Sequence, residues 1–240
     1  MRHALATVHN LKRQNKMELQ PQKDIQIIVD KLRPKSNPQD HRFTSFDYCY
    51  NYFRTNSNLT KDIEKSCLTL GFYLASWGMF RGSSFLLQKS VKHFQPTIEY
   101  ISTLDKDVWT IDVENYDEKN IDIILKIYAD LKTSLIKDNN TDITLITKIL
   151  LGVFGFIPAF DKNFSDTFRH IFKDEKRGFR KVNNKSLTCI KRFYDTNKSA
   201  IDSISNQTFT TDFLTGEKTK INYPKAKIID MYGFGYSWKN

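Results

Sequence analysis

The chain has 240 residues, 40% of them hydrophobic, and a formal net charge of +10. This length and composition fit one soluble globular domain or two closely packed lobes. The three cysteines, Cys49, Cys67 and Cys189, lie far apart. With no CxxC pair, HExxH, GxSxG or Walker loop, they exclude a disulfide framework, a zinc site and the familiar hydrolase and nucleotide signatures.

Residues 1 to 42 read as a polar N-terminal extension carrying one helix, with Ile25, Ile28, Val29 and Leu32 at helical spacing up to Arg33-Pro34. Lys35 to Asp40 reads as a linker and Phe43 to Arg54 is dense in aromatics. A helix is expected from Lys61 to about Phe80, with Thr60 as N-cap and Glu64 behind it. On that helix Gly71, Ala75, Gly78 and Gly82 would form a stripe of small residues, while Trp77, Arg81, Ser84 and Gln88 would share a face. That face either lines a cleft or packs against another helix.

Further along, Pro96 opens a helix to Leu104, and Trp109 to Val113 reads as an extended piece or turn. Tyr116 to Ile136 is an amphipathic helix, Lys137 to Asp142 a turn, and Ile143 to Phe156 a buried helix. Asp161 to Phe172 and Ser186 to Ser203 read as two more helices, Thr208 to Gly216 as a loop, and Lys227 to Trp238 as a short strand or aromatic plug. Gly233-Phe234-Gly235 lacks a third glycine and is no nucleotide fingerprint. The fold class is mainly α. Residues 43–240 form one helical domain of two lobes, about 43–105 plus 200–240, and 106–199.

Met1 to Lys16 has charges but no apolar run behind them, so no secretory signal is expected. The longest apolar window, Ile143 to Phe160, contains Lys148 and Pro158 and reads as core, not as a membrane span. The expectation is a reduced, cytoplasmic protein with no metal, cofactor or membrane partner.

Charge is unevenly spread. From Arg169 to Lys198 there are ten Lys/Arg against three Asp/Glu, whereas Ile101 to Asp142 holds ten acidic residues against five lysines. A basic face beside an acidic one is the footprint of a polyanion binder, although a charge run is as often a solvated helix face. Phe168, Phe172, Phe179, Phe193 and Tyr194, interleaved with the basic residues, point toward nucleic acid. The candidate DNA contacts are Arg177, Arg180, Lys181, Lys185, Lys191 and Arg192.

The sharpest signal is Thr147 to Asp161, TKILLGVFGFIPAFD. A lysine in an apolar run is costly unless it is paired, reaches the surface or sheds its proton. The carboxylate of Asp161, beyond Pro158, is the evident partner. Either the two form a site, or Lys148 reaches solvent and Asp161 caps the helix that follows.

This stretch resembles helix-hairpin-helix DNA glycosylases of the 8-oxoguanine glycosylase class. In these a Thr-Lys pair opens an apolar helix, and a proline-containing loop ends in an essential aspartate. Thr147-Lys148 and Pro158-Ala159-Phe160-Asp161 match those two elements, and LASWGMFRGSSFLLQ is similar to bacterial glycosylase-like proteins of mobile and anti-phage contexts. The segment before Lys148, Asn139 to Ile146, has no glycine, unlike the family's hairpin. The resemblance implies a two-lobed helical fold and a protein that flips out and excises a base, a modified one in particular, from double-stranded DNA in defence against phage. Asp161 and Lys148 would be catalytic, with a lyase step open to Lys148. Trp77, Arg81, Ser84, Gln88 and Trp109 would form the base pocket, Trp77 or Trp109 serving as wedge or stacking surface. The alternative is a non-catalytic nucleic-acid-binding or regulatory protein that keeps the fold; a third is a purely structural helical protein.

Overall fold

The computed structural model describes residues 22–33, 38–136, 143–173 and 179–236. The turn expected at Lys137 to Asp142, residues 35–37 of the expected linker and the first part of the N-terminal extension lie outside these residues. Among the described residues the chain forms ten α-helices and one two-stranded hairpin. The mainly α class is therefore correct.

Helix α1 (Gln22–Leu32) buries Ile25, Ile28, Val29 and Leu32, the stripe its spacing predicts. Helices α2 (Ser45–Thr55), α3 (Ile63–Ser76), α4 (Gln95–Ser102) and α5 (Glu118–Leu135) follow, with short 3-10 turns between α3 and α4 and between α4 and α5. Helix α6 (Ile143–Phe154) is the centre of the molecule: every residue from Leu145 to Phe154 is buried, and α2, α3 and α5 pack around it. Gly155 ends it with φ of 74°, its N–H returning to the carbonyls of Leu150 and Leu151. A left-handed residue at that position closes a helix, and glycine adopts it without strain.

Beyond the extended stretch Phe156–Phe160 come α7 (Lys162–Ile171), α8 (Asn184–Thr196) and α9 (Lys198–Gln207). The antiparallel strands β1 (Phe209–Thr211) and β2 (Lys218–Asn222) pair Phe209 with Asn222 and Thr211 with Lys218. Helix α10 (Lys225–Tyr236) then packs on α7, α1 and α9. The buried apolar residues form one continuous cluster from Ile25 to Tyr232, across the segments read as two lobes.

Five local expectations are corrected. Helix α3 ends at Ser76, not near Phe80, because Gly78 turns the chain at φ of 77°. The small-residue stripe therefore does not form, and Arg81, Ser84 and Gln88 do not share a helical face with Trp77. Its N-cap is Asp62, whose carboxylate accepts the Lys65 N–H at 3.0 Å, in place of Thr60. The single helix expected over 186–203 is two, broken at Asn197. The segment expected as loop at 208–216 begins a hairpin, and the one expected as strand or plug after Lys227 is α10. That last element is buried along Ala226 to Gly233, so it lacks the one-sided pattern that marks a surface helix. Side chains at Gly233 and Gly235 would collide with Phe164 and with Ile28, which is how α10 settles against both α7 and α1.

Candidate functional site

Lys148 and Asp161 meet. The Lys148 Nζ donates to Asp161 Oδ2 at 3.3 Å, with side chains 6% and 16% exposed respectively, so the carboxylate is the more open member. Asp161 both pairs with Lys148 and caps the helix that follows, its Oδ1 accepting the Phe164 N–H at 3.0 Å at the start of α7. Lys148 does not reach the surface.

The loop that delivers Asp161 is tied down at successive residues. Thr147 Oγ1 accepts the Phe160 N–H at 2.8 Å, and Thr144 Oγ1 donates to the Phe160 carbonyl at 3.1 Å. The Ala159 N–H donates at 3.0 Å to Asp230 Oδ1 on α10. Asp230 is the partner in a second buried ion pair, its Oδ2 accepting from Lys227 Nζ at 2.8 Å with side chains only 7% and 4% exposed.

Trp77 lies between the two pairs. The Lys148 ammonium is 5.1 Å from its ring centroid and the Lys227 ammonium 4.6 Å, both within cation–π range. Phe43 stacks on the indole at 5.3 Å and 14°, and Phe234 meets it edge-on. The buried indole N–H has no hydrogen-bond partner among the described residues.

A cavity of about 40 Å³ opens beside Trp77, with Asp47, Thr211, Tyr223, Lys227 and Asp230 on its wall. This is space for one or two waters. Asp47 Oδ1 accepts from Tyr223 Oη at 2.5 Å and Oδ2 from the Thr211 N–H at 2.8 Å. Burial raises the Asp47 carboxyl to about 6 despite these hydrogen bonds, because desolvation of the charged form outweighs them. Burial and the Asp47 charge push the Tyr223 phenol well up. Lys148 and Asp161 are not on this wall; Trp77 connects them to it.

The other residues singled out in the sequence are dispersed. Trp109 donates its indole N–H to the Val153 carbonyl at 3.0 Å and packs on Phe154, lining a separate groove with Arg54. Ser84 caps a 3-10 turn, and Arg81 and Gln88 are exposed. Of the six candidate DNA contacts, Arg177 lies outside the described residues. Arg180, Lys181 and Lys185 are exposed around the start of α8. Lys191 pairs with Asp195, and the Arg192 guanidinium covers the Phe172 ring at 5.0 Å.

The aromatics interleaved with those basic residues do not face solvent, which corrects the argument drawn from them. Phe168, Phe172, Phe179, Phe193 and Tyr194 are all buried, and the first four pack together as rings of the core. The sequence reading also missed Lys227, Asp230, Asp47 and Phe43. The first two carry the signal that revealed Lys148, a lysine and an aspartate inside an apolar run, in KAKIIDMYGF.

Among the described residues all three cysteines are free and buried, and no cluster of three His, Cys, Asp or Glu side chains is placed to hold a metal. No described helix is long and apolar enough to cross a membrane. No family model, curated protein or solved structure matches this chain.

Proposed function

We propose that this chain acts on DNA, extruding a base and cleaving its N-glycosidic bond, with Asp161 as the catalytic carboxylate. The observation that carries this reading is the 3.3 Å pairing of Asp161 with Lys148, in which a partly open carboxylate is fixed by a buried ammonium and by its own helix cap. In such a reaction the C1′–N bond breaks, the electron pair leaves with the base, and positive charge develops on the sugar. A preorganised carboxylate stabilises that charge at little reorganisation cost. Water then attacks C1′, its proton passing to the carboxylate.

Lys148 holds Asp161 in place and, on this route, does not touch the sugar. In a lyase route the Lys148 ammonium would first pass a proton to Asp161, and the free amine would attack C1′ as the C1′–N bond breaks and the base leaves with its electron pair. Trp77, stacked under Phe43, is the platform for the extruded base, and Phe43, on the short turn Arg42–Thr44, must swing away to uncover it. The sequence resemblance extends the substrate to modified bases, as in phage DNA.

The test is incubation with normal and hypermodified duplexes, followed by alkali to cut at abasic sites. Strand cutting by the wild type and none by Asp161→Asn supports the assignment. Equal cutting by both rejects it. Lys148→Gln that still releases base excludes the lyase route; complete loss fits either route, because Lys148 also holds Asp161, and a borohydride-trapped protein–DNA adduct in the wild type identifies the lyase.

A further inference from the structure

We propose that the groove lined by Arg54 and Trp109 binds a small-molecule phosphate monoester, its phosphate held by Arg54 and Lys106 and its apolar body seated on Leu104 and Trp109. Neither Lys148 nor Asp161 is on the wall of this groove, so the site stands whether or not the chain excises bases.

The groove has a volume of about 210 Å³, against about 40 Å³ for the cavity beside Trp77. At about 30 Å³ per water it has room for about seven, enough for a phosphate group and the start of the body it esterifies. Its floor is apolar, made by the buried Phe53, Leu59 and Ile101, and Leu104 and Trp109 are half-buried beside them.

Two cations converge above that floor. Lys106 and Trp109 are three residues apart in the 3-10 turn Lys106–Thr110, and side chains at that spacing lie one above the other. Arg54, in the last turn of α2, is fixed against the same turn, its Nη1 donating to the Trp109 carbonyl at 2.9 Å and to Tyr50 Oη at 3.2 Å. Trp109 is held in turn by its N–H on the Val153 carbonyl. A guanidinium anchored through one nitrogen keeps its Nε and Nη2 donors, a rigid fork that matches two oxygens of one phosphate.

The charge of this wall is uncompensated. No acidic side chain lines the groove, and among the described residues neither Arg54 nor Lys106 has a carboxylate within ion-pair distance. Asp105, next to Lys106, is off this wall and its Oδ1 accepts the Asp107 N–H at 3.0 Å. Asn56 and Asn58 add further donors. Their Oδ1 atoms accept the Asn58 and Lys61 N–H groups, each at 3.0 Å, which leaves both Nδ2 groups unspent among the described residues. Two cations with surplus donors match an acceptor of about two negative charges. A phosphate monoester carries about −1.5 to −2 at pH 7, whereas a carboxylate or a phosphodiester carries one.

Titration calorimetry with phenyl phosphate, inorganic phosphate and benzoate tests the site. Wild-type protein should bind phenyl phosphate more tightly than either of the others, since inorganic phosphate lacks the apolar body and benzoate the second charge. Lys106→Gln and Arg54→Lys should each weaken phenyl phosphate about ten- to hundredfold. Lys106 has no partner to lose, so its variant should keep the wild-type melting temperature whatever Arg54→Lys does. Arg180→Glu/Lys181→Glu should bind phenyl phosphate as the wild type does. Wild-type protein that binds none of the three, or binds inorganic phosphate or benzoate as tightly as phenyl phosphate, overturns the proposal. So does unchanged affinity in Lys106→Gln. A 5′-phosphorylated oligonucleotide that displaces phenyl phosphate and binds more tightly makes the partner a strand end and rejects the small molecule.

Discussion

Replacing Asp161 by asparagine separates the two jobs that its carboxylate performs. Asparagine caps helices about as well as aspartate, so the hydrogen bond from the Phe164 N–H survives. What is lost is the negative charge facing Lys148, whose side chain is only 6% exposed. Removing one partner of a buried pair costs about 3–5 kcal/mol. The 16% exposure of Asp161 and the Trp77 ring 5.1 Å from the ammonium both place the cost near the lower end. At about 2–4 °C per kcal/mol for a chain of this size, Asp161→Asn should melt about 6–12 °C below wild type. Adding Lys148→Met removes the stranded ammonium, and Lys148→Met/Asp161→Asn should recover most of that loss. Urea titration and thermal melts followed by circular dichroism measure both effects. An Asp161→Asn protein within about 0.5 kcal/mol of wild type, or a double variant no better than the single one, would refute the coupling. The recovered double variant also serves the base-release assay, being folded but without the carboxylate.

The Asp47 carboxyl, raised to about 6 by burial, binds protons more tightly when folded than at its ordinary 3.8. Its contribution is therefore full below pH 3.8 and is lost as pH rises through about 6; at about 1.4 kcal/mol per tenfold change in proton affinity the loss is about 3 kcal/mol. Asp47→Asn should flatten that part of the stability curve, and urea midpoints between pH 4 and 8 that fall equally in both proteins would contradict it. Gly233→Ala drives a methyl group into the Phe164 ring, and overpacking of this kind should cost about 1–3 kcal/mol in urea unfolding. Arg180→Glu/Lys181→Glu, both exposed, should flatten the log–log salt dependence of duplex binding by about two units if each neutralises one phosphate, and an unchanged slope would remove them from the interface.

The sequence revealed most where one physical demand had one solution. A lysine in an apolar run needed a carboxylate, and Asp161 supplies it. Helices α1, α5, α6 and α7 follow from apolar spacing to within a few residues. Composition alone misled where direction mattered. Phe164, Phe168 and Phe172 recur every fourth residue and so share one helical face, which turned out to be the core face. Helix α10 was hidden because it is apolar nearly all round, and the second ion pair was hidden with it. Strand β1 has only three residues, too few for an alternating pattern to register.

The position of α10 in the chain has a consequence for how the site comes into being. Tyr223, just before it, reaches back 176 residues to Asp47, and Gly235 within it lies against Ile28 and Leu32 of α1. Such closures are slow, because the chain entropy between their ends is lost before the contacts form. Until α10 docks, Asp47 lacks Tyr223, the Ala159 N–H lacks Asp230, and the cavity lacks the side of its wall that Lys227 and Asp230 supply. Partial structure built on α2 to α6 would bury Lys148 yet leave the loop bearing Asp161 held from one side only. The arrangement is thus completed by the longest-range contacts among the described residues, and fraying of this one helix would take it apart while most of the core stays folded.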